Sequence, residues 1–253
     1  MISITRRRLI GSLGMGAGGL LLSGCDRIAA SPKVQSVLQL GEGLTMRAQR
    51  LVTDRTALAR EFSAADMSPV FRTNGNDMPE SDEYQAHAAN GFADWRLKVD
   101  GLVRRPLALS LAQIKAMPAR TQITRHDCVE GWSAIGKWTG LPLKLALDAA
   151  GLLPSARYLV FHCADDFDGD PYYESIDLID AFHPQTILAW AMNDRPLSIG
   201  HGAPLRLRVE RQLGYKQAKY VMRIEATDSL RAIGGGKGGY WEDSAGYQWY
   251  AGI

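Results

Sequence analysis

The chain has 253 residues, 46% hydrophobic and 22% charged, an ordinary globular composition with enough apolar material for one sizeable core. Its 29 basic residues against 27 acidic ones give a formal charge of +2, but three arginines lie within residues 1–24, so the rest is near neutral at 26 against 27. That balance excludes a basic nucleic-acid surface, and three cysteines with no CxxC exclude a disulfide framework, a four-cysteine metal site and thioredoxin-style exchange.

Residues 1–24 read as an export signal rather than as part of the fold. Arg6, Arg7 and Arg8 form a basic start. An uncharged Gly/Leu-rich run follows to Cys25, too short and too rich in glycine for a comfortable membrane span. TRRRLI (5–10) resembles a twin-arginine (Tat) signal, and LSGC (22–25) resembles a lipoprotein cleavage box. Cys25 is then the expected lipidation site, and Asp26 resembles an inner-membrane retention signal, which implies a periplasmic, lipid-anchored protein. An ordinary signal peptide cut slightly later is the alternative. The twin-arginine route carries folded proteins, often with a cofactor already inserted, so the resemblance points to a prosthetic group.

Residues 25–65 read as a tether and an N-terminal wrap, loosely helical or irregular over 37–58, with a short helix over 51–62. The main domain is expected over 66–253. Residues 95–101, WRLKVDG, alternate apolar and polar and end at glycine, as a half-buried strand does. Ser110 is placed to cap a helix, LAQIKAM, that Pro118 stops. Residues 121–124 read as a short strand and Trp138-Thr139-Gly140 as a turn. Pro142 opens a helix, LKLALDAA, that Gly151 closes. RYLVFHC (157–163) reads as a buried strand, and DDFDGD (165–170) as a solvated turn without the full spacing of a calcium loop. Residues 186–192 with the Asn193-Asp194-Arg195-Pro196 turn predict a hairpin. LRLRV (205–209) and YVMRIEA (220–226) read as strands with basic residues on one face. The tail is rich in glycine and aromatics. Strands interrupted by short helices, without βαβ alternation, predict a single α+β domain with a mainly mixed or antiparallel sheet. No GxGxxG follows a strand and no GxxxxGK[ST] occurs, so nucleotide chemistry has no support.

Cys128 is the residue on which a functional reading turns. A thiolate is a soft metal ligand, and a nucleophile when its pKa is lowered. One cysteine cannot hold zinc or an iron–sulfur cluster alone, but it suffices when the metal arrives held by an organic chelator. On residue chemistry alone, a buried or disulfide-bonded cysteine and a ligand stand equal. His126, His162 and His183 lack HxxxH spacing and read as ordinary polar or core histidines.

The segment TRHDCVEGWSAIGKWTGLPL (124–143) resembles the cysteine segment of the sulfite oxidase superfamily of molybdopterin enzymes, and in particular the catalytic subunits of periplasmic protein-methionine-sulfoxide reductases. FRTNG (71–75), WRLKVDGL (95–102), HGAPLRL (201–207), GYKQAK (214–219), GYWED (239–243) and YQWYAG (247–252) resemble further segments of that family, in order. The resemblance implies the sulfite-oxidase-type fold and a molybdenum-molybdopterin cofactor, with Cys128 as the only protein ligand to the metal. It implies that Arg206 and Lys219 bind the pterin phosphate, with the backbone of Gln217 and Ala218 assisting as an anion nest. It places Asn74 and His201 on the pterin, with His201 where relatives often have asparagine. Asp77 and Met78 occupy the positions of a Tyr-Glu pair. Cys163 stands at a pterin-lining position and is expected as a free thiol, because a Cys128–Cys163 disulfide would consume the ligand. Trp132 and Trp249 or Tyr250 are expected at the mouth above the metal.

The implied activity is a two-electron redox reaction of the oxygen-atom-transfer type on a small or organic S- or N-oxide. Sulfite oxidation is the alternative reading; an acid and an indole, Glu130 and Trp132, follow the cysteine where sulfite oxidases carry arginines. A non-catalytic periplasmic lipoprotein on the same fold and a disulfide-stabilised protein without metal are the other two. The expected partner is a separate redox protein, a membrane b-type or soluble cytochrome, and the catalytic unit is expected as a monomer.

Overall fold

The structure, a computed structural model, describes residues 31–253, except for the side chains of residues 32, 33 and 35–39; Cys25 and residues 1–24, expected as a signal segment, lie outside the described residues. It divides into two units, Met1–Val52 and Thr53–Ile253. In the first, helix α1 spans Pro32–Val52. The short helix expected over 51–62 is not formed: α1 stops two residues into it and no helix follows before residue 64. None of the described helices is long and apolar enough to cross a membrane.

In the second unit, residues 53–65 already belong to the domain, so the boundary falls earlier than the expected 65/66. Gln185 explains why. Its side chain bonds both backbone groups of Ala59, at 2.7 and 3.0 Å, as a neighbouring strand would, and Phe62 N–H donates to the Ile123 carbonyl at 2.9 Å. Helix α2, Asp82–Ala89, starts at Ser81, whose hydroxyl accepts from Tyr84 N–H. Strands β1, Arg96–Gly101, and β2, Leu107–Ser110, lead to helix α3, Leu111–Ala116, where Ser110 and Gln113 complete a reciprocal capping box.

Strand β3 is Arg120–Asp127 and β4 is Ser133–Pro142. The turn expected at Trp138-Thr139-Gly140 is instead the interior of β4. Gly140 is there because a Cβ would lie 2.3 Å from the Leu188 carbonyl oxygen, at a break in the ladder beside Thr139. Helix α4, Leu143–Ala150, ends at Gly151 in the left-handed conformation, φ 69°. Strands β5, Tyr158–Phe167, and β6, Asp170–Asp177, form a hairpin whose tip is Asp168-Gly169, φ 55° and 88°. The acidic run read as a solvated turn is thus that tip and the strand ends beside it. Helix α5 is Leu178–Ala181. Strand β7, Ile187–Met192, pairs with β8, Arg195–Pro196, across Asn193-Asp194, both at positive φ, as expected for that hairpin. Strands β9, Arg206–Arg208, and β10, Val221–Thr227, and helix α6, Tyr240–Ser244, complete the unit.

The strands form two sheets. One runs β2-β1-β10-β5-β6; the other runs β3-β4-β7-β8, with β9 also pairing β7. The β1–β10 pair is parallel and the other pairs are antiparallel, so the expected α+β class with a mixed sheet is what the chain forms. The main core joins both sheets: Leu97, Val99, Phe161, Val221 and Ile224 of the first meet Leu141, Leu188 and Leu207 of the second, with Leu205 just before β9 and Leu143, Ala146 and Leu147 of α4. Strand alternation sends Ile187 and Ala189 to the opposite face, into a smaller cluster with Trp138 and Leu197. Arg206 and Arg208 also lie on Trp138, with guanidinium carbons 5.0 and 4.3 Å from its ring centroid. The basic face predicted for β9 is therefore buried, against an aromatic that offers its π surface to both cations.

Candidate active site

The β3–β4 hairpin carries Cys128 at its tip. Register pairs Asp127 with Ser133, and the five residues between them close on themselves. Cys128 N–H donates to the Trp132 carbonyl at 2.9 Å, Gly131 N–H donates to the Cys128 carbonyl at 3.0 Å, and Gly131 takes the φ of 85° that this closure needs. The thiol is 8% exposed and free. Burial pushes it above the ordinary thiol range and the Glu130 charge adds to that, while the N–H groups of Glu130 and Val129 oppose it. A thiolate there requires a compensating positive charge, which a metal supplies.

Cys128 opens on a cleft of about 670 Å³ that is continuous with solvent. Asn74, Gly75 and Asn76 form one wall, Gln217 and Lys219 another, and Tyr215, Trp241 and Tyr247 an aromatic side. Phe167, Tyr172 and Asp165 come from the β5–β6 hairpin. The ionisable acids and bases on these walls are Glu130, Asp165 and Lys219.

Lys219 fastens two loops. Its ammonium donates to the carbonyls of Asn74 (2.7 Å), Asn76 (2.5 Å) and Gly200 (3.0 Å). Burial and the nearby Arg206 lower its pKa to about 8, with Asp165 opposing. Arg206 is 1% exposed and donates to the carbonyls of His201 (3.1 Å) and Gln217 (3.3 Å), while its Nε has no partner. Burial, with Arg208 adding, brings the guanidinium down to about 9. Arg208, by contrast, has a bidentate partner in Glu210 and sits 3.0 Å from His126 Nδ1. Burial, then Arg208 and Arg206, hold His126 well below the usual histidine range, so the ring stays neutral.

Of the residues expected at the site, Cys128, Asn74, Gln217 and Lys219 line one cleft. Arg206 stands behind Gln217. His201 bonds Ser198 and the Phe71 carbonyl and faces a separate groove with Arg195 and Met192. Gln217 N–H is already engaged with the Gly214 carbonyl at 3.0 Å, and Ala218 offers its carbonyl to Leu207 N–H. Asp77 is exposed, and Met78 faces another surface groove. Cys163 is a free, half-buried thiol on β5, on the wall of a groove across the sheet.

The aromatics are distributed differently from expectation. Trp132 packs edge-on to Phe71 and against His126, with its indole N–H on Glu130 at 3.0 Å. Trp249 is turned from the cleft: its N–H donates to Ser175 Oγ at 2.8 Å and its ring meets Tyr158. Tyr250 is buried and is not on the cleft wall. The aromatics that do line the cleft are Trp241 and Tyr247 with Phe167, Tyr172 and Tyr215; the aromatic tail was visible in the sequence, but nothing in its spacing told wall from core.

The oxidoreductase molybdopterin binding domain family matches residues 84–232 of this chain. The chain belongs to that family. A protein of Azospira oryzae provisionally named protein-methionine-sulfoxide reductase subunit YedZ1 is 38% identical over 99% of this chain and 89% of its own length. The protein-methionine-sulfoxide reductase catalytic subunits MsrP of Xanthomonas campestris and Campylobacter jejuni are each 32% identical, over 60% and 53% of this chain. Those matches span 50% and 49% of the two MsrP chains. Among solved structures, the sulfane dehydrogenase SoxCD of Paracoccus pantotrophus shares the fold, with a TM-score of 0.52 and 23% identity over 60% of this chain and 41% of that one. This is a molybdopterin-binding oxidoreductase with the sulfite-oxidase-type fold.

The residues present fit that cofactor. Arg206 and Lys219 are buried cations held by carbonyls rather than carboxylates. Arg206 Nε is a buried donor without a partner. Buried cations without a carboxylate partner, one of them with a donor unused, suit a phosphate.

Proposed function

We propose that this protein is the catalytic unit of an exported sulfoxide reductase, acting on a neutral organic S-oxide and receiving electrons singly from a separate redox protein. The observation that carries this reading is the cleft wall beside Cys128: aromatic on one side, with two acids, Glu130 and Asp165, against one lysine. Such a wall repels a dianion such as sulfite and favours sulfur against aromatic rings.

In this reading Cys128 Sγ is the thiolate that anchors the metal. Arg206 and Lys219 hold the phosphate, and Asn74 and Gln217 supply polar contacts to the pterin, with His201 in support through the Phe71 and Arg206 contacts. When bound, the molybdenum–pterin group supplies two-electron oxygen-atom chemistry. The aromatic side orients the substrate and excludes water. The names of the sulfoxide reductase relatives support the substrate class. The twin-arginine-like and lipobox-like segments support a periplasmic, lipid-anchored location beside a quinone-linked or cytochrome partner.

The test is a substrate screen on molybdenum-loaded protein: methionine sulfoxide, small S- and N-oxides with an artificial electron donor, and sulfite with an acceptor. The expected result is a kcat/KM for a thioether S-oxide about 100-fold above that for sulfite. Faster turnover of sulfite would overturn the reading. Elemental analysis is expected to give about one molybdenum per chain, and Cys128→Ser is expected to abolish turnover.

A further inference from the structure

Asp165 stands where two cavities meet. On one side it lines the Cys128 cleft. On the other it lines a second groove, open to solvent, on the face of the β1–β10–β5 sheet away from the main core, with His87, Arg96, Lys98, Asp166 and Met222. Among the described residues it is common to both walls. The β5–β6 ladder breaks between His162 and Asp166, and a break of this kind re-aims a side chain. Here it leaves Asp165 4% exposed, with Oδ1 accepting no hydrogen bond.

We propose that Asp165 is the proton-relay group of this enzyme, taking protons from the outer groove and handing them to the oxygen removed from substrate in the Cys128 cleft. The proposal rests on the oxygen-transfer reading above. Reducing an organic sulfoxide breaks one S–O bond and consumes two electrons, delivered by the redox partner, and two protons; the products are the thioether and water. A substrate seated among the cleft aromatics blocks the front entrance. The outer groove then remains as the way in for protons, and Asp165 is the ionisable group on it that also faces the reacting space.

The surroundings of the carboxyl suit that task. Burial raises its pKa to about 7, while the Lys219 charge, its own backbone N–H and the Asn76 amide pull it back, and the Asp166 charge adds a smaller upward push. Tyr84 of α2, Tyr172 of β6, Tyr220 before β10 and the Cys163 thiol also face it, and all four are held protonated, with the Asp165 charge contributing to each. Asp165 is therefore the carboxyl in this cluster that changes charge near neutrality, which is the condition for efficient proton transfer; Lys219, at about 8, is the other group that titrates close by, and its protons are held by three carbonyls.

The experiment compares wild type, Asp165→Asn and Asp165→Glu, all molybdenum-loaded. Carboxyl titration is followed by NMR of aspartate labelled at Cγ, with the Asn variant assigning the Asp165 signal; this readout does not depend on turnover. The relay predicts a titration near pH 7, sulfoxide turnover that falls as pH rises through it, and molybdenum content retained in both variants. It predicts a kcat about 100-fold lower in Asp165→Asn at nearly unchanged KM, the usual size for a lost general acid. It also predicts partial recovery in Asp165→Glu, and rescue of Asp165→Asn by a small weak acid such as formic acid. An Asn variant with normal kcat and pH profile overturns it, as does a carboxyl that titrates in the ordinary range. Loss of the cofactor from the Asn variant also overturns it, by assigning the carboxylate to binding. Absence of sulfoxide turnover in wild type, with the carboxyl still titrating near pH 7, sinks the substrate reading instead.

Discussion

Lys219 Nζ lies 2.7 Å from the carbonyl oxygen of Asn74, on a loop 145 residues earlier in the chain. With bonds to Asn76 and Gly200 as well, this one ammonium ties the loop that walls the Cys128 cleft to the loop of Gly200. Lys219→Met removes all three donors and leaves three carbonyls to find other partners. The expected outcome is a molybdenum content well under half that of wild type and a stability loss of about 2–3 kcal/mol, read by elemental analysis and denaturant unfolding. Full cofactor loading in Lys219→Met would show that the loops are held without it.

A second buried lysine organises the aromatic side. Lys216 is fully buried between Glu174 and Glu242, bonded to both, at 2.7 Å for Glu242. Burial lifts Glu174 well above the carboxylate range; the Lys216 charge opposes this and Glu242 adds to it. Each member lies within two residues of a cleft aromatic: Glu174 of Tyr172, Lys216 of Tyr215, Glu242 of Trp241. Lys216→Met leaves two carboxylates facing each other out of water, which costs about 3–5 kcal/mol. A Tm within error of wild type would rule out this ion cluster as a structural centre.

Much of this was legible in the sequence because local rules carried it. The Ser110–Gln113 cap, the Gly151 stop and the Asn193-Asp194 turn are each fixed by residues within four positions, and each formed as read. Gly140 shows the limit. A glycine after Trp-Thr reads as a turn, but its cause is the Leu188 backbone, 48 residues away. Arg206 and Arg208 read as basic residues on one strand face, but their burial was not legible: Trp138, brought in by β4, covers both, and Glu210 pairs Arg208. The resemblance located Cys128, Gln217 and Lys219, which meet in one cleft. It did not sort the aromatics, because Trp241 and Trp249 share the tail and differ only in which way the packed chain turns them.

That difference is open to a paired test. Trp241 lines the cleft, whereas Trp249 donates to Ser175 at 2.8 Å and lies over Lys216. Trp241→Ala is expected to raise KM for a sulfoxide about tenfold, the effect of losing one aromatic wall. Trp249→Phe keeps the ring and loses one hydrogen bond, so stability is expected to fall by about 1 kcal/mol with KM unchanged. Steady-state kinetics and thermal unfolding on the two variants read these effects; the reverse pattern would return Trp249 to the substrate side.

Asp165 also leaves a signature in stability. Its carboxyl titrates at about 7 when folded, against 3.8 for an ordinary aspartate. Between those values the folded chain holds a proton that the unfolded chain has released. Stability from this group therefore falls as pH rises from 4 to 7, and above 7 the full cost of the buried charge is present. A neutral amide carries no such cost. Asp165→Asn is expected to be more stable than wild type at pH 8, by an amount on the order of 3 kcal/mol at most, since the lost attraction to Lys219 takes part of it back. The gap should shrink steadily toward pH 4, where the wild-type carboxyl is neutral in both states. Denaturant unfolding of the two proteins across that range measures it directly, and a gap that does not change with pH would mean that Asp165 is not a buried, titrating charge.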